Sequence, residues 1–173
     1  MALFLRAAKR IMVPYLQYYF LTIINFKVMN YKILLIDDDS DDRLFFRDAI
    51  EKISTGNVSC ITLDDGHILV STLAQSSDGR PDIIFTDINM PRMSGWEVLA
   101  MLKGHDTYKD IPVIMYSTSK HTEEITKAKE LGALCFFNKP QDFRDLQNAL
   151  TEVVKHLQAG TINQLCENST IFT

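Results

Sequence analysis

Cysteine is scarce in this chain. Cys60, Cys135 and Cys166 are its three, an odd number at long spacings, and no CxxC pair exists. That pattern argues against a zinc site or a disulfide framework. The thiols read instead as small buried hydrophobes in a reducing cytosol. Basic runs are also missing, and the net charge is −4, so the electrostatic footprint of a nucleic-acid binder is absent. The longest greasy stretch, residues 11–26, falls short of the roughly 20 apolar residues that cross a bilayer. Pro14, Gln17 and Asn25 interrupt it further. Internal repeats and low-complexity segments are lacking too. What remains is an ordinary globular composition, 46% hydrophobic and 23% charged, in a length that suits one domain with tails.

Residues 1–29 differ from the rest. Arg6, Lys9 and Arg10 precede the greasy stretch, as in a signal peptide, but no small-residue cleavage site follows. Positive charge ahead of a single span would also export everything after it. Met29-Asn30-Tyr31-Lys32 reads as the natural start of the domain. The expected organisation is a leader over residues 1–29, translated from a misplaced start or lying as a peripheral helix, a domain over 30–158 and a tail over 159–173.

From Lys32 onward strands and helices alternate. Ile33-Leu34-Leu35-Ile36 is a short apolar run that reads as a buried strand. A helix is expected from Ser40 to Ile53, capped by Ser40 or Asp41, with Leu44, Phe45, Ala49, Ile50 and Ile53 apolar. The run from Val58 to Leu63 alternates and reads as an edge strand, and Asp64-Asp65-Gly66 as a turn. Further strands are expected around Ile83-Ile84-Phe85, from Pro112 to Tyr116 and from Leu134 to Phe137. The intervening helices run from Ile68, Trp96 and Glu123. The closing helix, from Phe143 to Leu157, buries Leu146, Leu150, Val153, Val154 and Leu157. Five such repeats mean a parallel sheet covered on both faces, with any ligand at the carboxyl ends of the strands.

Those ends carry Asp37, Asp38 and Asp39 after the first strand, Asp87 after the third, Ser117 and Thr118 after the fourth, and Lys139-Pro140 after the fifth. Nothing in the folding of a sheet requires acids there, and clustered carboxylates repel unless a cation joins them. Magnesium suits hard oxygen ligands. Lys139 adds a fixed positive charge able to meet a developing anion. An ionised Asp can attack phosphorus and form an aspartyl phosphate. Taken singly, Asp39 and Asp41 read as helix caps, Ser117 as a loop hydroxyl and Lys139 as a surface lysine. Their joint arrival at one rim favours a site.

Ile36-Asp37-Asp38, Thr86-Asp87-Ile88-Asn89-Met90-Pro91 with Gly95, Ser117, and Asn138-Lys139-Pro140 together resemble the CheY-like receiver domain of two-component signalling. The likeness covers about residues 31–157. It implies a flavodoxin-like (βα)5 doubly wound α/β fold in three layers, with strand order 2-1-3-4-5. It assigns Asp87 as phosphoacceptor and Asp38 as direct Mg2+ ligand. Asp37 would hold the metal through water, and Asn89 through its backbone carbonyl. Ser117 becomes the switch hydroxyl, Lys139 the family lysine, Pro140 a cis proline that aims it, and Phe136 the rotating switch aromatic. Such a protein is a cytoplasmic signalling switch and not an enzyme in the ordinary sense.

About sixteen residues follow the closing helix, with neither a helix-turn-helix pattern nor a catalytic motif. The expected output is therefore protein contact through a surface between about Glu123 and Leu157, or onward transfer to a histidine phosphotransfer protein. The expected donor is a histidine kinase or such a protein; nucleic acid and membrane are not expected partners. Two other readings are open. An Asp-nucleophile phosphatase would need a second Asp two residues after the first, where Asn89 stands. A flavin-carrying module would need a Ser/Thr/Gly loop after the first strand, where acids stand. If the leader reading is right, a chain starting at Met29 will fold and accept phosphate like the full chain. Loss of solubility or of labelling would make residues 1–28 structural.

Overall fold

Each apolar run becomes a strand and each helical stripe finds a sheet face to cover. The computed structural model describes residues 30–54, 56–75, 79–119 and 121–167. The leader reading falls on residues 1–29 and lies outside them. The strands are β1 (Tyr31–Ile36), β2 (Val58–Leu63), β3 (Ile83–Asp87), β4 (Val113–Ser117) and β5 (Cys135–Asn138). The helices are α1 (Ser40–Ile53), α2 (Leu69–Gln75), α3 (Gly95–Gly104), α4 (Thr122–Glu130) and α5 (Phe143–Ala159). Short 3-10 turns at Gly66–Ile68 and Ile162–Gln164 complete the order. The sheet is parallel, with order β2-β1-β3-β4-β5. This is the flavodoxin-like arrangement that the resemblance implies, with β2 at an edge.

Side chains of successive strand residues point to opposite faces, and the sheet divides its core on that rule. Ile33, Leu35, Ile83, Phe85, Ile114, Tyr116, Cys135 and Phe137 meet Phe46, Ala49 and Ile50 of α1 and the stripe of α5. Leu34, Ile36, Ile84, Val113, Met115 and Phe136 meet Leu73 of α2, Val98 and Leu102 of α3, and Ala128 of α4. Full burial of a side chain such as Leu35 or Phe46 contributes about 1.5–3 kcal/mol. The five residues expected as the stripe of α5 are all buried. In α1 the phase differs from expectation. Leu44 is exposed and Phe46 is in the core, because 46, 49, 50 and 53 share one face at 3.6 residues per turn. Its cap is Asp39, whose carboxylate accepts from the Asp41 and Asp42 N–H groups. Trp96 is half-buried beside α4, with the Lys127 ammonium 4.2 Å from its ring centre.

Two expectations are corrected. Cys135 and Cys166 are joined as a disulfide, and Cys60 is the free thiol. Gly160, at φ 67°, ends α5 in the left-handed conformation and turns the chain back toward β5. Leu165 becomes fully buried and Ile162 packs on the same core. The cysteine Cα atoms thereby come within 6.0 Å, inside the range a disulfide spans. Sequence spacing gave no sign of this return. The second correction concerns Pro140. Its peptide bond is trans, as are all those among the described residues. The trans isomer is the favoured one for X–Pro by about 0.5–1 kcal/mol, and Lys139 reaches the acids with it.

Intact-mass measurement of unreduced protein should show the loss of two hydrogens. Unfolded without reductant, only Cys60 should take a thiol reagent. Reduction should cost about 2–4 kcal/mol of stability. Three reactive thiols in unreduced, unfolded protein would contradict the bond.

Candidate functional site

The site forms where β1, β3, β4 and β5 end together. Asp37 follows β1 directly, and its N–H donates to the Leu63 carbonyl of β2 at 3.0 Å. This bond continues the sheet for one residue and turns the carboxylate inward, where it is fully buried. Asp38, next along, is exposed at the rim. Asp87 is the last residue of β3 and 7% exposed. Asp37, Asp38 and Asp87 each offer a carboxylate oxygen, and these lie within 4.8 Å of one another.

Lys139 reaches into this cluster from the loop after β5. Its N–H donates to the Ser117 carbonyl at 2.8 Å, which fixes its backbone beside β4. Its Nζ lies 2.7 Å from Asp37 Oδ2, 2.8 Å from Asp42 Oδ2 and 3.2 Å from Asp87 Oδ1. The stem passes the Tyr116 ring, 5.2 Å from Nζ. Burial pushes the Asp37 carboxyl up to about 6, and the neighbouring Lys139 ammonium keeps it from rising further. Burial also opposes the charge on Lys139, but its hydrogen bonds to Asp37 and Asp42 and the nearby Asp87 hold its pKa above the ordinary lysine value. Three carboxylates thus share one ammonium, Asp38 adds a fourth acid beside Asp37 and Asp87, and a hard cation fits the excess negative charge and the all-oxygen donor set.

The loop after β3 is held at three points. The Asn89 N–H donates to Asp87 Oδ2 at 3.0 Å. The Gly95 N–H donates to the Ile88 carbonyl at 3.1 Å, and a Cβ at Gly95 would fall on the Asp87 carbonyl oxygen. Arg92 pairs with the buried Asp65 at 3.1 Å. Ser94 and Glu97 close the start of α3 as a capping box. Ser117, fully buried at the end of β4, accepts from the Ser119 N–H at 3.2 Å.

The structure therefore brings together Asp37, Asp38, Asp87 and Lys139, with Asn89 beside Asp87 and Ser117 on the adjoining strand end. Phe136 lies elsewhere. It points from β5 to the α2–α4 face and is 1% exposed. A ring expected to turn inward on phosphorylation is already inside. Two contributors escaped sequence reasoning. Asp42 has only the Asp-rich run from 37 to 42 as a signal, and that run equally suits helix capping. Asp65 reads as a turn residue because its partner Arg92 stands 27 positions away.

Comparison with known proteins agrees with this geometry. The sequence model of the response regulator receiver domain family matches residues 33–151. The chain is 32% identical over 118 residues to response regulator Rcp1 of Synechocystis sp., covering 66% of this chain and 80% of that protein. It is 30% identical over 119 residues to protein PilG of Pseudomonas aeruginosa, covering 69% and 84% respectively. Among solved structures, the phosphorylated cyanobacterial phytochrome response regulator RcpA superposes with a TM-score of 0.68 at 29% identity, covering 76% of this chain and 96% of that one. The Mn(2+)-bound form of Rcp1 gives 0.63 at 28% identity, over 73% and 94%.

Replacing Lys139 with Met leaves buried acid without its cation, and the expected loss is about 3 kcal/mol at pH 7 without divalent metal. Asp37, its pKa raised by burial from the ordinary 3.8 to about 6, holds a proton between those pH values in the folded state that the unfolded chain has released. Its own contribution therefore falls as pH rises from about 4 through 6. In Lys139→Met a protonated Asp37 partly replaces the lost cation, so the deficit should shrink between pH 7 and pH 5. Urea midpoints at both pH values test this; a deficit that grows toward pH 5 would refute it.

Proposed function

Because this chain belongs to the response regulator receiver domain family of two-component signalling, we propose that it accepts a phosphoryl group on Asp87 and uses it to bias a protein-binding surface. The observation that carries this is the convergence of three carboxylates and one ammonium at a single rim. An Asp87 carboxylate oxygen attacks the phosphorus of a phosphohistidine. The new P–O bond forms as the P–N bond breaks, and the histidine nitrogen leaves with the bonding pair and takes up a proton. Return by hydrolysis breaks the same P–O bond.

Asp38 and Asp87, with the Asn89 backbone carbonyl, would hold Mg2+ directly, and Asp37 would hold it through water. Bound Mg2+ supplies charge neutralisation for the phosphoryl oxygens. The chain's own groups do the rest. The Asn89 N–H orients Asp87 through Oδ2. Lys139 offers a positive charge on the side of Oδ1. Ser117 stands one residue beyond Tyr116, the β4 partner of Asp87, where its hydroxyl can donate to an arriving phosphoryl oxygen.

The switch is a population shift, and phosphate acts only by favouring one packing over another. Phe136 is held inside by the α2–α4 core. The phosphoryl group, about −1.5 to −2 in charge, would stabilise this inward packing over one with the ring turned out. Ser117 would be drawn toward the phosphate in the same step. The surface from Glu123 to Leu157 would then meet a downstream protein, and the donor would be a histidine kinase or a histidine phosphotransfer protein.

With a small phosphodonor and Mg2+, the full chain should gain one phosphoryl group, and Asp87→Asn should gain none. Mg2+ should raise the melting temperature of the wild type and lose that effect in Asp38→Ala. Labelling of Asp87→Asn at the wild-type level would defeat the assignment.

A further inference from the structure

An ammonium has three N–H donors; Lys139 donates to Asp37 and Asp42, and Asp87 stands at ion-pair distance without a hydrogen bond. Asp37 and Asp42 take the short contacts, 2.7 and 2.8 Å, and Asp87 takes the long one at 3.2 Å. Two of the three acids around the lysine are thus acids that carry no phosphate. Asp37 is fixed by burial and by its place after β1. Asp42 reaches the lysine from the first turn of α1, across 97 positions of sequence.

The helix start is built to put it there. The Asp39 carboxylate accepts from the Asp41 N–H at 2.8 Å and from the Asp42 N–H at 3.4 Å. Arg43, the next residue, donates through Nη1 to the Asp37 carbonyl at 2.7 Å. These bonds tie the first turn of α1 to the end of β1. An acid in a first helical turn is already favoured by the helix dipole. The Asp42 side chain nevertheless spans the rim to a lysine that is only 10% exposed, while remaining 41% exposed itself.

We propose that Asp42 is a positioning residue that restrains Lys139. It holds the ammonium between itself and Asp37, so that the weakest of the three contacts faces the phosphoacceptor. A phosphoryl group on Asp87 draws the ammonium toward it, and Asp42 competes for the same charge. The restraint favours the unphosphorylated state and sets how strongly Lys139 answers the phosphate. This inference rests on the reading of Asp87 as phosphoacceptor.

The test uses beryllofluoride, which binds an Asp carboxylate as a phosphoryl-like group, at saturating Mg2+ on the full chain. Asp42→Asn and Asp42→Ala should bind it more tightly than wild type, by roughly twofold to fivefold, the scale of a half-exposed ion pair. Asp42→Glu, which keeps the charge, should return toward wild-type affinity. In a Lys139→Met background the Asp42 substitutions should have no effect, because the restraint acts only through the lysine. Equal or weaker binding by both Asp42 variants would overturn the restraint. An equal gain with and without Lys139 would overturn the route through it. A wild type that binds no beryllofluoride would instead sink the phosphoacceptor reading, and the restraint with it.

Discussion

One ammonium makes the rim of this sheet possible. Asp37 and Asp87 are buried acids at adjoining strand ends, and like charges so placed repel each other. Lys139 lies within 3.2 Å of both and keeps an ionised site compatible with a folded sheet. The ammonium comes from the far edge of the sheet, so the strand order itself is part of the electrostatics. The outer strand β5 must lie two places from β3 for one side chain to bridge them. The remaining negative charge, from acids that outnumber the ammonium, makes the rim fit for a hard cation.

Much of this was legible in the residues because it is local. The alternation of apolar runs with helical stripes named five strands and five helices within a few residues. The acids and the lysine declared themselves by standing just beyond apolar strands, where packing has no use for them. What escaped depends on tertiary closure. The Cys135–Cys166 bond needs the chain to turn at Gly160 and bury Leu165. The Asp65–Arg92 pair needs the loops after β2 and β3 to lie side by side. Asp42 was hidden by ambiguity, since the same residue type serves a helix start and an ion pair. The phase of α1 failed for a simpler reason: Phe45 and Phe46 are adjacent, and the partners that separate them, Phe85 and Tyr116 of the sheet for Phe46 and Phe143 of α5 for Phe45, are distant in sequence. The inward Phe136 and the trans Pro140 show the limit of family likeness, which supplies a residue's usual role and leaves its conformation in this chain to the packing around it.

The division of the core gives the site two different supports. Tyr116 and Phe137 stack beneath Lys139 on the face shared with α1 and α5, in contact with Phe46 and Phe85. On the other face, Met115 and Phe136 lie beneath α4. Ser117 follows both rows, at the top of β4. A displacement of that strand end is therefore felt differently on the two sides. One face meets interlocked aromatic rings, and the other meets a methionine and a single ring beside a short helix.

Gly95 carries a mechanical consequence. The start of α3 touches the Asp87 carbonyl with no room for even one carbon atom between them, so this joint has no slack in compression. A push on the end of β3 passes straight into α3, a helix seated on the sheet through Val98, Leu99 and Leu102. That side of the molecule behaves as an abutment. On the opposite side the segments after β4 and β5 are joined by the backbone hydrogen bond from Lys139 to Ser117. Load applied at Asp87 is thus carried first by α3.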